Sequence, residues 1–227
     1  MLFALVQPFS LLGLVAAFLL GVVIRAGGQQ LLARWLTDST RGQVHGVRGL
    51  LRWLLDPFGC VAAVLGGTGW GHAAPVPPMV FATRAAVLRR LAVYLAGPVL
   101  PILAGEAVLG VYSLVFPSSL GLSLYRPSDV LHGIPGVPGE QVLLSLGVGL
   151  LSFGVFAIVP LPPCDGWGLL WLAWRRPGER ARRVRYWLEE RNLGVAILLL
   201  LMLPLGITGA IGYVLLDALG TPLVRLW

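Results

Sequence analysis

Apolar residues run along this chain in long unbroken stretches and seldom alternate with polar ones. The first charge is Arg25, after 24 uncharged positions, and Leu91–Gly105, Gln141–Cys164 and Asn192–Leu216 are also free of charge. A helix needs roughly 20 apolar residues to cross ~30 Å of hydrocarbon. The pattern therefore predicts an all-α polytopic membrane protein with about four spanning helices, near residues 8–36, 86–116, 141–174 and 193–217. Pro57–Gly71 is different: it is 15 residues long, with glycine at 59, 66, 67, 69 and 71. Too short and too glycine-rich to cross, it reads as a re-entrant segment that returns to the side it came from, a course allowed only where protein covers the backbone. Pro117–Gly139, with prolines at 117, 127, 135 and 138, reads as an external loop. The basic connection 175–191 reads as a short amphipathic helix held on the membrane surface by anionic lipid. Residues 1–227 form a single membrane domain with no internal repeat and no soluble part.

Composition agrees, and charge adds an orientation. The chain is 57% hydrophobic and 12% charged, where a soluble domain carries about 25% charged residues; a water-soluble globule is excluded. All 17 basic residues are arginine, against 10 acidic ones. They occupy the connections between apolar runs and are not gathered on one solvated face, so the net charge of +7 argues for membrane orientation and against nucleic-acid binding. Fourteen arginines, at 34–52, 84–90 and 175–191, fall on one side, with Arg126 and Arg225 on the other. This predicts an N-terminus outside, and the Ala-, Gly-, Leu- and Val-rich composition suggests a bacterial cytoplasmic membrane. The opening apolar run exceeds the 7–15 residues of a signal-peptide core and is expected to remain as a membrane helix. Cys60 and Cys164 form no CxxC pair and imply neither a disulfide framework nor a cysteine metal site.

Four fragments then occur in order: Leu55-Asp56-Pro57-Phe58-Gly59; Gly69-Trp70-Gly71-His72-Ala73-Ala74-Pro75-Val76-Pro77; Leu95-Ala96-Gly97-Pro98; and Pro160-Leu161-Pro162-Pro163-Cys164-Asp165-Gly166. The set resembles the site-2 protease family of intramembrane zinc metalloproteases, in its compact bacterial branch, over about residues 20–170. The resemblance implies a site-2-protease-like helical core, followed by the cytoplasmic connection 175–191 and a C-terminal helix 193–217. It also implies an upstream HExxH helix, whose two histidines bind zinc while the glutamate serves as general base. That motif is missing: the histidines are His45, His72 and His132, and residues 1–44 contain no histidine, cysteine or glutamate.

Thr37-Asp38-Ser39-Thr40-Arg41 resembles the turn that follows the family's histidine helix. Family spacing back from it places Arg25, Ala26 and Gln29 where first histidine, glutamate and second histidine would stand. The asparagines that follow AGP and open the last motif correspond to Pro101 and Ala157. Asp165 alone matches a family zinc ligand, in the third position. One aspartate does not make a catalytic zinc site, which ordinarily has three protein ligands, so no metal and no cofactor are expected. A carboxylate left in low dielectric without its cation must be partnered or protonated. The expectation is an Arg25–Asp165 ion pair in place of the metal; the bland alternative is that Arg25 snorkels to the surface. Gly27 and Gly28, with Gly97, Pro98, Pro162 and Pro163, are expected to border a groove for a partner helix.

Three readings of function follow. The first is a catalytically inactive site-2-protease-like protein that binds a transmembrane partner within the lipid bilayer without cleaving it. The second is an active zinc protease with atypical ligands, Asp165 with Cys164, His45 or His72. The third is a small ion or proton transporter using Glu106, Asp165 and Arg25. Asp56, just before Pro57, reads as a helix N-cap, Asp217 as a residue of the external headgroup layer, and His72 as interfacial.

Overall fold

The computed structural model describes residues 1–37, 55–72, 84–174, 178–203 and 211–227. Among these there is no strand, and three helices are long and apolar enough to cross a membrane: α1 (Pro8–Thr37), α3 (Arg84–Val115) and α6 (Pro138–Ala157). The remainder are short: α2 (Pro57–Gly66), α4 (Gly121–Leu124), α5 (Pro127–His132), α7 (Asp165–Ala173), α8 (Glu179–Glu189), α9 (Leu193–Met202) and α10 (Ile211–Val224). His45, most of the 37–41 turn, Ala73–Pro77, and Arg41, Arg48, Arg52, Arg175 and Arg176 lie outside the described residues.

The three long helices pack on one another, and glycine sets how closely. A Cβ at Gly154 of α6 would stand 2.6 Å from the Pro98 carbonyl oxygen, and one at Gly105 of α3 would stand 2.8 Å from the Gly147 carbonyl oxygen. On the other flank of α6, Gly13 of α1 meets the Val142 carbonyl in the same way, at 2.6 Å. Small residues permit this approach where lipid supplies no hydrophobic drive between helices. Pro98 and Pro101 lie inside α3 and are buried. Leu14, Leu109, Val148, Leu151, Phe153 and Phe156 fill the space between the three helices.

Two expected helices are divided. The run 141–174 ends at Ala157, passes through Pro160–Cys164 and restarts as α7 at Asp165. Prolines at 160, 162 and 163 remove backbone donors and bar helical continuation. The run 193–217 is described as α9 and α10, of 10 and 14 residues, with 204–210 outside the described residues. At 1.5 Å per residue neither part is as long as the three spans. The expected loop 117–139 contains α4 and α5.

The glycine-rich segment folds as a hairpin of helix and irregular return segment. Asp56 caps α2 by accepting from the Phe58 N–H at 3.2 Å, with Pro57 at the first helical position. Gly67, at φ +76°, ends the helix in a left-handed cap, which glycine adopts without steric cost. The chain then turns back, and the Trp70 indole donates to Asp56 at 2.5 Å, joining the two ends of the hairpin. A Cβ at Gly59 would lie 1.9 Å from the Trp70 carbonyl oxygen, and one at Gly69 2.1 Å from that of Gly59. Around the far tip, the Leu2 N–H donates to the Val64 carbonyl at 2.9 Å, and Gly67 abuts Leu131 of α5.

Candidate functional site

Arg25 lies two-thirds of the way along α1, and Asp165 opens α7 just beyond the proline break. Both are buried, with 2% and 4% of their surface exposed. Nε of Arg25 donates to Oδ2 of Asp165 at 2.7 Å, and a terminal guanidinium nitrogen donates to Oδ1 at 2.9 Å. This fork-to-fork pairing suits guanidinium and carboxylate, whose planes and spacings match. Two of the three remaining N–H donors are also used: one reaches the Gly71 carbonyl of the hairpin at 3.0 Å, another the Pro163 carbonyl at 3.2 Å. A single guanidinium therefore ties together α1, the return segment of the hairpin, the proline loop and the start of α7. Its side chain does not snorkel.

Gln29, one turn further along α1 and 2% exposed, donates its amide N–H to Oδ1 of Asp165 at 2.9 Å. Its Oε1 is buried without a hydrogen-bond partner. Ala26, between them, is part of the apolar core. Gly97 of α3 forms the wall opposite: a Cβ there would lie 2.0 Å from Oδ2 of Asp165 and 2.5 Å from the Gln29 amide nitrogen. Gly97, inside α3, thus leaves the gap that the carboxylate fills.

The donor set around Asp165 does not fit zinc. Its oxygens face a guanidinium and an amide N–H, and these groups donate hydrogen bonds where a cation needs lone pairs. Cys164 is buried beside it as a free thiol, while His72 is exposed at the end of the hairpin. Among the described residues no three His, Cys, Asp or Glu side chains come together in a way that could hold a metal ion.

Of the residues expected to border a groove, the structure brings few to an open surface. Gly97 and Pro98 are buried, Pro162 packs against Gly194 of α9, and Pro163 gives its carbonyl to Arg25. A Cβ on Gly27 would meet nothing within 4 Å. Gly28 does line an apolar groove of about 490 Å³ between α1 and α3, with Leu31 and Trp35 on one side and Ala92, Leu95 and Val99 on the other. These flanking residues were not singled out by sequence; their i, i+3, i+4, i+7 spacing on each helix was the available signal.

The other polar residues stand apart. Glu106 of α3 accepts from the Trp227 indole at 2.8 Å, and no hydrogen bond or ion pair joins it to Arg25 or Asp165 among the described residues. Asp217 of α10 accepts from the backbone and hydroxyl of Ser128, at 2.9 and 2.7 Å, fastening α10 to α5.

A Bacillus subtilis protein named "Putative zinc metalloprotease YwhC" is 28% identical to this chain over 153 residues, which is 67% of this chain and 63% of that protein. The match thus covers less than two thirds of the relative's length. No family model matches the chain. No solved structure matches it either.

Proposed function

We propose that this chain is a catalytically inactive, site-2-protease-like membrane protein that holds a transmembrane partner without cutting it. The observation that supports this reading is the Arg25–Asp165 pair, with a guanidinium in the place inferred for a metal. General-base hydrolysis needs a group to take a proton from water. Ala26 stands where the glutamate is inferred to be, and Arg25 and Gln29 donate to the one carboxylate present. What the substitutions retain is connectivity, because Arg25 cross-links the segments that a metal would.

The groove beside Gly28 is the surface suited to a partner. It is apolar, opens between two spanning helices, and lies next to the segment carrying the pair. A transmembrane helix with small residues on one face would pack there by close contact.

Site-specific photocrosslinking in living cells tests both parts. A photoreactive residue at Leu95 or Val99 should capture one membrane protein at its full, uncleaved length, and one at Leu114, exposed near the other end of α3, should not. Recovery of the captured protein as a fragment, its cut abolished by Asp165→Ala, would overturn the inactive reading. Crosslinks that do not distinguish groove from Leu114 would remove the partner reading.

A further inference from the structure

We propose that α8 is a lipid-reading helix whose outward stripe binds an anionic bilayer surface. None of its residues is buried. Its inner side is anchored by polar and aromatic contacts: Glu189 accepts from the Trp167 indole at 2.5 Å and from Nε of Arg185 at 2.8 Å, and the Arg185 guanidinium lies 5.0 Å from the centre of the Trp171 ring. With that side fixed on α7, the opposite side is determined by helical spacing. Arg180, Val184 and Trp187 fall at i, i+4 and i+7, one stripe along the helix, with Arg183 beside it and Arg191 just past the helix end. Val184 and Trp187 are about half exposed, and Arg191 lies 5.6 Å from the Trp187 ring centre.

Arg180 and Arg183 make no ion pair among the described residues. An isolated cation pair beside an exposed tryptophan and valine matches the boundary of a bilayer, where arginines meet phosphates and apolar side chains enter the headgroup layer. The neighbours place the stripe at that depth. Trp171 and Trp174 stack 5.9 Å apart at the end of α7, as an interfacial aromatic belt does, and apolar α9 begins three residues after Glu190. In sequence α8 therefore lies between two apolar helices, α7 and α9. With Arg185 and Glu189 paired to each other on the inner side, four arginines remain against two glutamates over 179–191, so the complementary surface is an anionic one.

The stripe and the Arg25–Asp165 pair are separate sites, so each is tested without the other. The full chain carrying Val184→Cys would be placed in nanodiscs of phosphatidylcholine alone or mixed with phosphatidylglycerol. Alkylation by a membrane-impermeant maleimide is then read at residue 184 by peptide mass spectrometry, so that Cys60 and Cys164 do not contribute. Labelling should be about tenfold slower in the anionic discs, and high salt should restore the faster rate. Adding Arg180→Gln, Arg183→Gln and Arg191→Gln should abolish the lipid difference. Equal rates in both lipids would overturn the proposal and leave the stripe to an acidic protein partner, and a difference surviving the triple substitution would overturn the role of the arginines. Should the triple variant fail to fold, the salt response of Val184→Cys alone decides.

Discussion

Asp165 is held by donors from two residues of one helix, and Gly97 shapes the space on the opposite side. A buried pair gives back in attraction roughly what desolvation removes, whereas one member left alone is an uncompensated charge. Arg25→Met or Asp165→Leu should each cost about 3–5 kcal/mol, and the double substitution clearly less than either. Unfolding of the purified protein in detergent measures this; additive losses around the cycle would show that the two residues do not act together. Gly97→Ala makes a separate demand, since its methyl would meet Oδ2 of Asp165 at 2.0 Å. Overpacking of this kind costs about 1–3 kcal/mol, and the same unfolding assay should show the cost shrinking in an Asp165→Ala background, where the carboxylate is gone.

At the scale of elements, the hairpin at 56–71 depends on glycine. A methyl at Gly69 would stand 2.1 Å from the Gly59 carbonyl oxygen, forcing helix and return segment apart. Gly69→Ala should therefore raise the alkylation rate of Cys60, which is half-buried on α2, several-fold as judged by peptide mass spectrometry; an unchanged rate would mean the hairpin yields elsewhere. This element was legible in sequence because five glycines in 15 residues leave few other foldings for an apolar run. In the last apolar run, absence of charge reports burial or lipid contact and says nothing of continuity: α9 ends at Met202, with Leu203 extended. Pro204, directly after that end, is the residue in the sequence that cannot continue a helix. Pairing of Arg25 with Asp165 could be argued from family spacing, yet the carbonyls of Gly71 and Pro163 that complete its shell could not, since backbone acceptors leave no trace in residue identity. The Asp56–Trp70 bond escaped for a related reason: a cap explained Asp56 fully, and nothing in the residues asked for a second partner.

Across the whole molecule, contacts sort the connections into two ends. Ser10, near the start of α1, hydrogen-bonds Ile134, Tyr112 near the end of α3 donates to Glu140 at the start of α6, and Asp217 reaches Ser128. The first residues, the 116–137 connection and α10 therefore gather at one end of the bundle. The start of α3, the end of α6 and the basic helix α8 belong to the other, joined through Tyr94 against Gly168. The arginine bias predicts that the second end faces the cytoplasm: among the described residues, Arg34, Arg84, Arg89, Arg90 and the five arginines at 180–191 belong to its segments. Helix packing is the same in either orientation, and charge is what makes the two ends differ. Short epitope insertions at Gly136 and Gly178 separate the two: in intact bacterial spheroplasts, protease should remove the tag at Gly136 and spare the one at Gly178. The converse pattern would invert the protein in the membrane, leaving the helix packing intact but turning the arginine-rich face of α8 away from the cytoplasmic leaflet whose negative surface it is expected to read.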